Sequence, residues 1–182
     1  MPRTAPGSLP PAATRLDPTP AEPIGFALRL LGTFAVEVDG LPVSALPSDK
    51  ACALLAYLAL EARPVSRTAL TALLWPNAAP ASALLSLRVA LSAVRRLAPG
   101  RLAADARQAA FAPQPGDLVD VAELQRAAAS DDPANWRRAV GSYGGPLLAG
   151  RIGVDTPGYT AWLVSTARSV AEDARTVFER LA

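Results

Sequence analysis

Apolar residues first thicken at Phe26. FALRLLG and FAVEV have strand length and composition, and Asp39-Gly40 between FAVEV and LPVSA is a two-residue hairpin signal. A small antiparallel sheet is therefore predicted at the start of the ordered chain. The period then changes from two to that of a helix. Ala51, Leu54, Leu55 and Leu58 recur at three- and four-residue steps after Ser48, an N-cap residue, and predict a helix to about Glu61 that Arg63-Pro64 breaks. Ser66 is a second N-cap, with Val65 and Leu70 placed as a hydrophobic staple across it. That helix runs through Leu70, Leu73 and Leu74 and stops at Trp75-Pro76.

The strongest pattern lies in Ala81–Leu97, where Leu84, Leu87, Leu91 and Val94 trace one apolar stripe. At about 100° per residue, Arg88, Ser92, Arg95 and Arg96 share a different face, and Val89 and Ala93 lie off the stripe beyond Arg88 and Arg96. Pro80 suits the first helical position and Pro99-Gly100 ends the helix, which is about 25 Å long. RLAAD and QAAFA on either side of Ala106-Arg107 predict a hairpin. Beyond Gln114–Asp117 the remainder reads as helical: VDVAELQRAAA, NWRRAVGSY and a final helix from Gly158 to Leu181, with Tyr143–Pro146 as a loop. Residues 1–23 hold seven prolines and few large apolar side chains, so they read as a disordered tail.

Composition narrows the class of protein. The 182 residues, half of them hydrophobic, are enough for one full core or slightly more. The longest apolar run, within Ala51–Leu60, is too short to span a bilayer, and no secretory signal pattern is present, so a soluble cytoplasmic protein is expected. The single cysteine, Cys52, lies among Ala51, Ala53, Leu54 and Leu55 and reads as a buried small hydrophobe. The absence of histidine removes the usual general base and most zinc sites. Asp131-Asp132 and Glu172-Asp173 read as capping or solvated pairs, and Gly144-Gly145 lacks the lysine and setting of a phosphate loop. The three tryptophans, Trp75, Trp136 and Trp162, sit at helical spacing from leucine or alanine and read as packing residues. No enzymatic role, metal or cofactor is expected.

Charge points elsewhere. The net charge is only +2, carried by seventeen arginines and Lys50, and such heavy arginine and alanine use weakens arginine alone as a signal. Its distribution is more telling. No acidic residue occurs between Glu61 and Asp105, a window holding Arg63, Arg67, Arg88, Arg95, Arg96 and Arg101. Strands, two helices, a long basic helix and a hairpin follow the order of a winged helix–turn–helix, in which the third helix reads the major groove and the wing touches the backbone. A plain helical bundle with solvated arginines fits the periodicity equally well.

LRLLGTFAVEVDG, KACALLAYLALEARPVSRTALTALLWP and SLRVALSAVRRL resemble the DNA-binding half of Streptomyces-antibiotic-regulatory-protein-type (SARP) activators. VDVAEL, YGGPLLAG and DTPGYTAWLVSTARSVAEDARTVFERLA resemble the start of the bacterial transcriptional activator domain (BTAD) that follows it. The resemblance, from Phe26 onward, implies an α+β chain, which with the tail read from composition has three parts. Residues 1–23 form a Pro-rich tail, 24–115 a response-regulator-type winged helix–turn–helix with an N-terminal antiparallel sheet, and 116–182 a partial all-α, tetratricopeptide-like domain.

Its implied function is DNA-binding transcriptional regulation, by activation through contact with RNA polymerase, with tandem binding to promoter direct repeats and a homo-oligomer on DNA. The candidate DNA-binding residues are Lys50, Arg67, Arg88, Ser92, Arg95, Arg96, Arg101 and Arg107. Arg88, Arg95, Arg96 and Ser92 fall to the groove, and Lys50, Arg67, Arg101 and Arg107 to the backbone. The family commonly carries basic residues where Asp49, Ser82, Leu84, Val89 and Ala93 stand here. The alternative is accordingly a degenerate winged helix kept as a protein-interaction module. A lone helical repeat cannot bury its own face, so the last helices are expected either to pack on the winged helix or to belong to a longer chain.

Overall fold

The computed structural model describes residues 25–44, 47–150 and 152–182, and the expected tail over residues 1–23 lies outside them. The chain is α+β. Strands β1 (Phe26–Arg29), β2 (Ala35–Val38) and β3 (Leu41–Pro42) lead into α1 (Asp49–Glu61), β4 (Val65–Ser66), α2 (Arg67–Leu74) and α3 (Pro80–Leu97). The hairpin β5 (Leu102–Ala104) and β6 (Gln108–Phe111) follows, then β7 (Leu118–Val119), α4 (Asp120–Ala128), α5 (Pro133–Ser142) and α6 (Pro157–Leu181). No helix among the described residues is long and apolar enough to cross a membrane.

Two small sheets frame the helices. In the first, of order β3-β2-β1-β7, the Asp39-Gly40 turn has the positive φ angles (51° and 76°) that a tight hairpin demands. In the second, of order β4-β6-β5, Val65 pairs with Ala109 and Leu102 with Phe111, so the wing hairpin is anchored to the entry of α2. Neither β4 nor β7 was expected, because two residues are too few to carry a period. Ser66 caps α2, its side chain accepting a hydrogen bond from Ala69 N at 3.1 Å, and Val65 and Leu70 are both buried at the staple. Ser48 occupies the N-cap of α1 but its side chain caps nothing.

The core is continuous from the first sheet through α1, α2 and α3 to the last helices. α1 contributes Ala51, Leu54, Leu55 and Leu58 as its periodicity predicts, together with the buried Cys52, whose thiol burial pushes up to about 11. In α3 the buried stripe is Ala83, Leu87, Ala90, Leu91, Val94 and Leu97, with Ala93 also enclosed. Leu84 departs from expectation: it is 46% exposed. A stripe at 3.6 residues per turn drifts away from a strict 3-4-3 ladder, so the alanines at 83, 90 and 93 are buried where Leu84 is not.

Helices α4, α5 and α6 pack on one another and are bound to the winged helix at three places. First, β7 pairs in parallel with β1, setting Ala27 opposite Leu118 and Leu28 opposite Val119. Second, the fully buried Asp120 carboxylate accepts hydrogen bonds from Leu30 N and Leu31 N, each at 2.9 Å, and from Val121 N at 2.8 Å. Burial pushes this carboxyl above its ordinary range, and the three donors oppose that rise. Beside it Gly32 N donates to Pro146 O and Leu148 N to Leu30 O. Gly32 has φ +92°, and a Cβ there would lie 2.8 Å from Gly144 O, so Gly32 and Gly144 permit backbone to meet backbone. Third, the N-terminal half of α6 lies on α1 and α2. Thr156 Oγ1 donates to Leu73 O at 2.6 Å, Trp162 Nε1 to Glu61 Oε1 at 3.1 Å, and the Trp162 ring packs on Tyr57 and Tyr159. One side of these helices is thus covered in part by the winged helix.

Candidate nucleic-acid interface

The side of α3 turned away from the core is free. Arg88, Arg95 and Arg96 are exposed there and Ser92 is half-buried, with Arg96 Nη1 donating to Ser92 Oγ at 3.1 Å. No acidic residue lies in α3, so these cations make no ion pair within the helix. An alanine N-cap without a side-chain bond and Pro80 at its start leave the first turn unencumbered.

The same face is more apolar than its arginines suggest. Leu84, Leu85 and Val89 are 46%, 59% and 63% exposed, all before or at the middle of the helix. Leu85 and Val89 form one wall of an open groove of about 560 Å³, completed by Trp75 and by Ser48, Asp49 and Lys50 at the start of α1. The Lys50 ammonium sits over the Trp75 ring, 5.1 Å from its centroid, which places its charge beside this groove. Ala93, expected off the apolar stripe, is instead buried at 9% exposure beside Val43, Pro47 and Leu97, because α3 is rotated to bring this edge against the chain before α1.

The wing carries a second cationic group. Its turn is held by the Asp105 carboxylate, which accepts from Arg107 N at 2.6 Å and Gln108 N at 2.8 Å; these bonds hold the carboxyl below its ordinary range. The Arg107 side chain is exposed at the turn. Arg67 N donates to Arg107 O at 2.8 Å, so Arg67, at the first residue of α2, is brought beside the wing. Its Nε is buried without a hydrogen-bond partner.

Arg101 does not belong to this surface, which corrects the expectation that it touches the DNA backbone. Its side chain is only 13% exposed: Nε and Nη2 donate to Asp117 at 2.8 and 2.7 Å, Nη1 donates to Pro99 O, and the guanidinium lies over the Phe26 ring. The burial of Asp117 would raise its carboxyl, but Arg101 and the Gln114 N–H outweigh that and hold it low. Each nitrogen of the Arg101 guanidinium thus donates within the chain, tying the residue before β5 to Asp117 just ahead of β7. Of the other residues singled out, Asp132 caps α5 through Ala134 N, and no acidic or cysteine cluster among the described residues could hold a metal ion.

No protein-family model matches the chain, and no curated protein matches it. A solved structure does. EmbR of Mycobacterium tuberculosis, in complex with a low-affinity phosphopeptide, superposes with a TM-score of 0.65 at 24% sequence identity, over 85% of this chain and 44% of that chain. The likeness is one of fold. It covers the winged helix and the helices that follow, and the chain spans less than half the length of the EmbR chain.

Proposed function

We propose that the chain is a DNA-binding transcriptional regulator of SARP type that sets α3 into the major groove of double-stranded DNA. The observation that carries this is the division of α3 into two sides. One is locked in the core by Leu87, Leu91 and Val94, and the other presents Arg88, Arg95 and Arg96 with no acid on the helix. A rigid helix with an unpaired cationic face matches the width of the groove and the charge of the phosphates beside it. Arg107 at the wing, with Arg67 beside it, serves the neighbouring backbone, and Lys50 flanks the start of α3. In this reading the chain activates transcription from promoter direct repeats as a homo-oligomer on DNA, in the cytoplasm. The tetratricopeptide-like helices, the first part of a BTAD, then meet RNA polymerase.

The exposed Leu84, Leu85 and Val89 favour a second reading, in which the same face docks a protein and binds little DNA. A mobility shift on the promoter upstream of the chain's own gene, at physiological salt, separates the two. Retarded, competitor-resistant complexes support the regulator, and their absence at every protein concentration overturns it.

A further inference from the structure

The charge on the free face of α3 is not spread evenly. The stretch up to its midpoint offers Leu84, Leu85 and Val89, and the charged groups at the adjacent groove, Asp49 and Lys50, cancel. Its remaining free cations are Arg88, at the middle, and Arg95 and Arg96 in the last turn. By helical geometry Leu85, Ser92 and Arg96 stand one above another, and Val89 lies within about 40° of that line. In a groove-reading helix it is the N-terminal residues that reach the base edges, while the flanks hold phosphates. Between Leu84 and Val89 the exposed side chains are therefore aliphatic apart from Arg88, with few groups to satisfy a hydrogen-bonding base edge. The one feature of the major groove that an aliphatic side chain recognises is the C5-methyl group of thymine.

Resting on the DNA-binding reading above, we propose that Leu85 and Val89 are specificity-determining residues that read thymine methyls in the half of the site under the start of α3. Arg95 and Arg96, in the last turn, anchor the other half through phosphates and guanine, and Arg88 stands between the two aliphatic readers. Burying a methyl that would otherwise meet water is worth about fourfold in affinity, so two such contacts set a preference of about fifteenfold.

The test starts from a random duplex library passed over the full chain. In the selected duplex each thymine is then replaced singly by deoxyuridine, which lacks only the methyl, and affinity is read by fluorescence anisotropy. Loss of about fourfold at one or two neighbouring positions is expected. Leu85→Ala and Val89→Ala should each lower affinity for the thymine duplex, lose the thymine–uracil difference at one of those positions while keeping it at the other, and keep the wild-type salt slope. Both side chains are exposed, so both variants should melt near wild type. If uracil and thymine duplexes bind alike while salt-dependent binding persists, or the selected site lacks thymine under that half, the methyl proposal falls and the DNA reading stands. If no duplex binds at low salt, both fall.

Discussion

Replacing Asp120 with alanine should be among the most damaging single changes in the chain, although the residue lies far from α3. Its carboxylate is wholly buried and accepts from three backbone N–H groups, those of Leu30, Leu31 and Val121. A buried donor left without a partner costs about 1–3 kcal/mol. Three of them, with one re-satisfied by water entering the space, leave two and a loss of about 2–6 kcal/mol. That is a large share of the ~5–15 kcal/mol available to a domain, and corresponds to a fall in Tm on the order of 10 °C for a chain of this size. Asp120→Asn keeps the volume and one acceptor oxygen, so it should fall between alanine and wild type. Urea unfolding followed by tryptophan fluorescence reads the effect, since Trp75 reports the winged helix and Trp136 and Trp162 the last helices. An Asp120→Ala protein within about 0.5 kcal/mol of wild type would refute the view that this carboxylate fastens the helical part to β1.

Leu87→Ala and Leu91→Ala, each removing a side chain at most 1% exposed, should cost about 2–5 kcal/mol in the same assay. Arg101→Gln should lower stability by an amount between the ~1 kcal/mol of a surface pair and the ~3–5 kcal/mol of a broken buried one, while leaving DNA affinity near wild type. It should also alter the acid limb of a pH–stability profile. The depressed Asp117 carboxyl contributes stability that is complete above the ordinary value of 3.8 and is lost as pH falls through its lower folded value, and that contribution should shrink in the variant. Cys52, with its thiol near 11 and its side chain enclosed, should react with a maleimide at pH 8 far more slowly in the folded protein than in urea. Gly144→Ala should lower Tm, because its Cβ would press on Leu31 O.

Elements with a full period of their own were legible in the sequence. α1, α2 and α3 appear where leucine spacing and the Ser66 and Pro80 signals put them, α6 follows the helix read from Gly158 to Leu181, and Asp39-Gly40 marks its hairpin. What could not be read depends on partners distant in sequence. β4 and β7 exist only because Ala109 and Ala27 are there to pair with them, and Asp120 opens a helix like any acidic first-turn residue until Leu30 and Leu31, just after β1, supply their N–H groups. The Gly144-Gly145 loop carries no chemistry of its own; its use is the close approach to Gly32. At the candidate site the arginines of α3 were visible from periodicity. The commitment of Arg101 to Asp117, 16 residues on, and the exposure of Leu84 were not, since both depend on how the helix and wing rotate against the core.

The central claim is that α3 meets DNA with its cationic face, and its most direct test is the salt dependence of binding by the wild type and by Arg95→Glu with Arg96→Glu. Both side chains are exposed, so circular dichroism and melting should be near wild type. The wild type should bind duplex DNA with log K falling linearly in log salt, and the double variant should lose most affinity and at least about 1.8 of the slope. A wild type that binds no duplex at low salt, or a double variant that binds with an unchanged slope, would contradict the account.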